Sequence, residues 1–196
     1  MRLLSFLLDI LFPPRDTEAL ARAATYETVL PLMRPRGHRI GGYPCVTLLP
    51  YRHPTVRALV IEAKFRGSTH AQRILGLILR DYLMDETASV TLVPVPLGSE
   101  RFAERGYNQV AEMAKHSGMG TAQVLERVRE TPPQTSVQGR SRVRNMQGAF
   151  RATAINPATS YIVLDDVMTT GATLTDAARA LTEAGATRVA MLALAH

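Results

Sequence analysis

Asp165 and Asp166 are adjacent carboxylates set between an apolar run, Tyr161 to Leu164, and a small-residue turn, Thr169-Thr170-Gly171-Ala172-Thr173. The apolar run does not alternate with polar residues, so it suits a strand buried on both faces. The two acids then stand where that strand leaves its sheet. The Thr/Gly turn supplies small residues where an Ala-rich helix begins. Backbone N–H groups in such a turn, with the positive end of the helix, make a site for phosphate. Open α/β sheets bind ligands at the carboxyl ends of their strands. An isolated Asp pair or Thr-Gly would be read as a turn and a helix cap. Here both occur in fixed order between a strand and a helix, which points to a small phosphate ester that also carries hydroxyls.

The elements that must position this stretch can be read along the chain. Thr173 to Ala184 predicts a helix ended by Gly185, and Arg188 to Ala195 a final buried strand. Strand, helix, strand in that order make a βαβ unit and imply a parallel sheet. Upstream, Thr17 to Met33 reads as helix with Thr17 as its N-cap, Pro35 to Pro44 as a basic connector, and Cys45 to Leu49 as a strand. Val56, Leu59, Val60 and Ala63 follow helical spacing and run into Lys64-Phe65-Arg66-Gly67. Cations in a last turn are expected from the helix dipole alone. A second amphipathic helix spans about Thr69 to Met84. Val90 to Leu97 is strand-like but carries Pro94 and Pro96, so it leaves regular pairing near Pro94 at a sheet edge or end. The following Arg105-Gly106-Tyr107-Asn108-Gln109 is either a solvated loop or an approach to a diphosphate. Ala122 to Val128 predicts a strand. The polar, Arg-rich segment beyond it, with Arg129, Gln134, Arg140, Arg142 and Arg144, is either a surface loop or a lid that excludes water.

Size and composition bound the class. A chain of 196 residues with 46% hydrophobic content is a globular protein able to bury one substantial core. A single cysteine, Cys45, excludes a disulfide framework and a cysteine-rich zinc site, and fits a reducing, cytoplasmic location. A net charge of +6 implies an anionic partner, with phosphorylated metabolites and nucleic acid both qualifying. Met1 to Phe12 is apolar apart from Arg2, Ser5 and Asp9, and is too short to span a bilayer. It predicts an amphipathic helix packed on its own domain, with a partner or membrane surface as the alternative, so the chain is not expected to be an integral membrane protein.

The central stretch resembles the phosphoribosyl pyrophosphate signature of type I phosphoribosyltransferases: apolar strand, two acids, then a loop with T-G-x-T. Val93 to Gln109, Arg127 to Gln134 and Arg142 to Phe150 contain motifs that recur in that order in ComF-type proteins, and Lys64 to Gly67 matches their K-Y/F-x-G element. The resemblance covers roughly residues 45 to 196. It implies an α/β fold with a type I phosphoribosyltransferase-like central parallel sheet flanked by helices, after a small helical N-terminal segment over residues 1–44. It assigns Asp165 and Asp166 to the ribose hydroxyls and Val167, Met168, Thr169, Thr170, Gly171, Ala172 and Thr173 to the 5′-phosphate side. It also gives Lys64, Arg105, Gly106 and Asn108 to the diphosphate side, and Arg129, Gln134, Arg140, Arg142 and Arg144 to the lid. Asp165, Asp166 and Arg105 would carry any catalysis. The implied ligand is phosphoribosyl pyrophosphate or a related phosphorylated sugar, with Mg²⁺ bound through its diphosphate. ComF proteins usually open with a four-cysteine zinc element. Arg15-Asp16 stands where its first cysteine would be, so no zinc is expected. Two functions follow from the resemblance: phosphoribosyl transfer to an unidentified acceptor, or a non-catalytic accessory role in natural competence and DNA uptake, handling single-stranded DNA with a helicase partner. The resemblance also leaves room for a homodimer. Few aromatics (6%, no Trp) make any single-strand contact chiefly a phosphate contact.

Overall fold

The computed structural model describes residues 16–84, 90–129 and 148–196. The expected amphipathic helix at Met1 to Phe12, and Gln134, Arg140, Arg142 and Arg144, lie outside them.

Strands β1 (Arg36–Ile40), β2 (Tyr43–Leu49), β3 (Val90–Pro94), β6 (Ser160–Val167) and β7 (Arg188–Ala195) form one sheet in the order β1-β2-β7-β6-β3. Neighbours from β2 to β3 are parallel, and β1 pairs antiparallel with β2. The α/β architecture with a mainly parallel sheet is therefore present. β1 corrects the reading of residues 35–44 as a connector. Its sequence, R-G-H-R-I, has no apolar alternation, and it forms because β2 offers it a free edge. Two short strands, β4 (Leu125–Arg127) and β5 (Phe150–Ala152), make a separate antiparallel pair. Of the strand expected over residues 122–128, only Leu125–Arg127 is thus strand.

Burial on both faces explains the apolar strands. Along β6, Tyr161 and Val163 join one core while Leu164 joins the other; along β7, Met191 and Ala193 face one way and Leu192 and Leu194 the other. That is the period-2 alternation of a strand with both faces covered. One face carries α1 (Asp16–Ala23), α3 (Pro54–Phe65), α4 (Thr69–Leu83) and α6 (Gln109–Ser117). The other carries α7 (Ala172–Glu183) and the β4–β5 pair. The helix expected over residues 17–33 is broken. After α1, Thr25 caps α2 (Tyr26–Val29), and a 3₁₀ turn over Leu30–Leu32 follows. Thr17 sits inside α1 and donates its hydroxyl to Glu62 Oε1 at 2.9 Å, so it is not the N-cap.

β3 is an edge strand that ends at Pro94, where the missing proline N–H removes a donor from the ladder. Its outer side is covered locally, because Leu92 N–H donates to the Gly120 carbonyl and Ala122 N–H to the Leu92 carbonyl. Helix α5 (Ser99–Arg105) follows, and ends at Gly106 in the left-handed conformation.

Candidate phosphate-ester site

A cleft of about 770 Å³, including its open mouth, lies at the carboxyl ends of β3 and β6. Three groups of residues stand out in its lining. The first is the end of β6 with the turn into α7, from Asp165 to Leu174; the second is Val95-Pro96-Leu97 after β3. The third is cationic: Lys64 from the last turn of α3, and Arg101 and Arg105 from α5.

The turn into α7 is built for approach. Gly171 adopts φ 75°, and a Cβ there would stand 2.9 Å from Ile40 Cδ1 on β1. Only glycine meets both conditions without strain. Gly171 supplies no capping side chain; the Ala172 N–H donates to Thr170 Oγ1 at 3.4 Å, which leaves the Thr173 and Leu174 N–H groups of the first turn of α7 for the cleft. Thr169 and Thr170 are exposed at its mouth.

The two acids are not equivalent. Asp166 is 4% exposed and engaged on both carboxylate oxygens. Its Oδ2 pairs with Lys64 Nζ at 2.8 Å and accepts from Gln109 Nε2 at 2.9 Å, and its Oδ1 accepts from Val167 N–H at 2.7 Å. Asp165 is half-buried and accepts from the N–H of Asp166 at 2.8 Å. Burial, together with the charge of Asp166, pushes the Asp165 carboxyl up to about 7, with Lys64 pulling the other way.

The sequence motifs interlock around this pair. Tyr107 donates its hydroxyl to the carbonyls of Ala63 and Lys64 at 3.1 and 3.0 Å, tying the Gly-Tyr-Asn-Gln segment to the end of α3. Gly67, at φ 63°, lets the chain turn under the Tyr107 ring, which would lie 3.4 Å from a Cβ. Asn108 caps α6 through Val110 and Ala111 N–H and donates to the Val95 carbonyl. Arg105 Nη1 donates to Gln109 Oε1 at 3.0 Å, and its guanidinium lies 4.9 Å from the Phe65 ring centroid.

Of the residues singled out from sequence, Lys64, Arg105, Asp165, Asp166 and Val167 to Thr173 all line this cleft. Gly106 and Asn108 do not; Gly106 ends α5 and Asn108 braces the loop behind. Arg129 is exposed, and its carbonyl accepts from Arg127 Nε. Arg127 itself lines the cleft, its guanidinium 5.5 Å from the Phe150 ring. Sequence reasoning passed over Arg127, Arg101 and Gln109 as site residues. Each lay within a motif stretch that the sequence offered, Arg101 and Gln109 in Val93 to Gln109 and Arg127 at the start of Arg127 to Gln134.

Among the described residues, no three His, Cys, Asp or Glu side chains cluster to hold a metal ion. Cys45 is buried, its thiol pushed up to about 11 by burial, and its Sγ lies 3.6 Å from Met168 Sδ. No helix of the described residues is long and apolar enough to cross a membrane.

Residues 67–196 match the phosphoribosyl transferase domain family. The chain is 33% identical over 147 residues to the DNA utilization protein YhgH of Salmonella typhimurium, covering 69% of this chain and 65% of that protein. It is 28% identical over 131 residues to the competence protein ComFC of Streptococcus pneumoniae, covering 67% and 59% respectively. The chain thus spans less than two thirds of the length of these relatives. Among solved structures, an orotate phosphoribosyltransferase of Mycobacterium tuberculosis aligns with 91% of this chain and 82% of its own at 16% identity, with a TM-score of 0.38. That likeness is distant, and the assignment to a family comes from the sequence match.

Proposed function

The chain belongs to the phosphoribosyl transferase domain family, as a ComF-type member, and from that premise we propose that its cleft binds phosphoribosyl pyrophosphate with Mg²⁺. The carrying observation is the convergence of the Thr169–Thr173 turn, the Asp165–Asp166 pair and the Lys64 and Arg105 cations on one cleft. A phosphate, a hydroxylated sugar and a diphosphate require those three chemistries side by side.

In this reading the 5′-phosphate lies on the α7 N-terminus, Asp165 and Asp166 face the ribose hydroxyls, and Arg105 and Lys64 take the diphosphate. The ion would be held mainly by diphosphate oxygens and water, as Mg²⁺ prefers. When bound, that ion neutralises the diphosphate and makes it a better leaving group. If the site turns over, the bond from ribose C1 to the diphosphate oxygen breaks and its electron pair leaves with the diphosphate. A lone pair of the acceptor forms the new bond at C1, and the acceptor's proton passes to water. Arg105 and Lys64 stabilise the negative charge that builds on the departing group.

Calorimetry with phosphoribosyl pyrophosphate and Mg²⁺ tests the reading. Wild type binds, and the Asp165→Asn/Asp166→Asn double variant binds at least about tenfold more weakly, since hydrogen bonds to charged groups are lost. No binding by wild type, or equal binding by the variant, sinks it. Diphosphate release across a panel of heterocyclic bases and amines then separates transfer from binding without turnover.

The names of the relatives favour a second reading, an accessory role in DNA utilization or competence. Under it, single-stranded DNA and a helicase are the partners, and the positive charge of the chain meets phosphate. Single-strand affinity then falls steeply between about 50 and 200 mM salt. A salt-independent affinity removes phosphate contact as the mechanism.

A further inference from the structure

Five side chains, four of them lining the cleft, close into a ring. Lys64 Nζ pairs with Asp166 Oδ2 at 2.8 Å, and Gln109 Nε2 donates to that same oxygen at 2.9 Å. Gln109 Oε1 accepts from Arg105 Nη1 at 3.0 Å, and the Arg105 guanidinium lies 4.9 Å from the Phe65 ring centroid. The ring closes where Lys64 Nζ stands 6.0 Å from the same Phe65 centroid. The members come from the end of α3, the end of α5, the start of α6 and the end of β6. Gln109 is 2% exposed, whereas Phe65 is 58% exposed, so the ring runs from the core to the mouth.

Gln109 is the one member that touches both a proposed sugar-side group and a proposed diphosphate-side group through directed hydrogen bonds. An amide can do this because it donates at one end and accepts at the other. Its orientation is fixed by its neighbours. Reversed, its oxygen would face the carboxylate and its NH₂ the guanidinium, opposing like with like at both ends. We infer that Gln109 is a positioning residue that holds Asp166 and Arg105 at a set separation, so that the ribose and diphosphate ends of one ligand are recognised together. Phe65 supports Arg105 and Lys64 from the solvent side, which accounts for a large apolar ring left exposed beside two cations. The inference rests on the phosphoribosyl pyrophosphate reading above. It adds a residue that coordinates the two halves of that ligand without being assigned to either.

The test compares Gln109→Leu and Gln109→Glu with wild type in calorimetry with phosphoribosyl pyrophosphate and Mg²⁺. Each affinity is expressed as a ratio to wild type at the same pH, between about 5 and 8. Gln109→Leu loses both directed bonds and weakens binding about ten- to a hundredfold at every pH. Gln109→Glu weakens it similarly at pH 8, where a carboxylate replaces the amide that donates to Asp166, in a cleft that also holds Asp165 and the cations Lys64, Arg101, Arg105 and Arg127. As the pH falls, its protonated carboxyl regains one donor and one acceptor, and its ratio climbs back toward wild type. A residue that merely fills space shows no such rescue. The inference is overturned if Gln109→Leu binds as wild type does, or if Gln109→Glu shows a pH-independent deficit. If Gln109→Leu does not fold, the Gln109→Glu series decides alone. Absence of binding by wild type removes the ligand reading and this inference with it. Normal wild-type binding with unaffected variants removes the inference only.

Discussion

Two buried aspartates ten positions apart in the chain, Asp166 and Asp176, are both 4% exposed and both paired with a cation. Asp176, on α7, accepts the N–H groups of Gly148, Ala149 and Phe150 at 2.9, 2.8 and 3.2 Å, and pairs with Arg179 at 2.7 Å. Its partners are backbone groups and a neighbour on its own helix, so it clamps the start of β5 onto α7. Asp166 takes its charged partner from α3 and its amide partner from α6, and its neighbour Asp165 opens on the cleft. The same side chain at the same burial thus secures a fold in one place and organises a site in the other. What separates them is whether the partners are main-chain groups with no other choice, or long side chains that a ligand can also engage.

The sharpest way to break this contrast is Asp176→Ala. It leaves three N–H groups without their acceptor and Arg179 without its main partner, and should cost about 3–5 kcal/mol of stability in urea unfolding. Ligand affinity per folded molecule should change little; a loss of affinity larger than the loss of stability would make Asp176 part of the site. A smaller effect is expected from Gly171→Ala. The left-handed backbone and the close Ile40 Cδ1 together should cost about 1–2 kcal/mol. Adding Ile40→Ala should recover the contact share but not the backbone share, which thermal unfolding of the two variants can resolve. If the pair recovers everything, φ at position 171 carries no strain.

The smallest effect concerns Asp165, and its sign follows from linkage. Its carboxyl is raised above the unfolded value, so the native state holds a proton that the unfolded chain releases first. The associated stability is present below the ordinary carboxylate range and is lost as pH rises through about 7. Asp165→Asn cannot ionise, so relative to wild type it should gain stability between pH 5 and 8, on the order of 1 kcal/mol. Melting temperatures of both proteins across that range check it. A difference that stays constant with pH would mean that Asp165 titrates normally.

Much of this organisation is legible in the chain. The βαβ unit over residues 160–195 follows from an unbroken apolar run, small turn residues and an Ala-rich helical period, all local signals. Pro94 pointed to a place at the sheet edge or end, because its missing N–H cannot serve a further strand, and β3 lies at the edge. β1 was illegible because nothing in Arg36–Ile40 prefers a strand; pairing with β2 supplies the reason. Asp176 was equally silent, one polar residue among the Leu174, Ala177 and Leu181 positions that α7 buries.

For the cleft, the sequence by itself determined which chemistry was at hand: two acids, a phosphate-sized turn and cations in separate motifs. Only the tertiary structure decided how they combine. It brings Lys64 and Gln109 to Asp166 and Arg105 to Gln109, leaves Asp165 with the raised carboxyl, and sets Gly106 and Asn108 back from the cleft. The physical reason is range. Turn chemistry and periodicity act over a few residues, whereas the fate of a charge depends on burial and on partners drawn from across the fold.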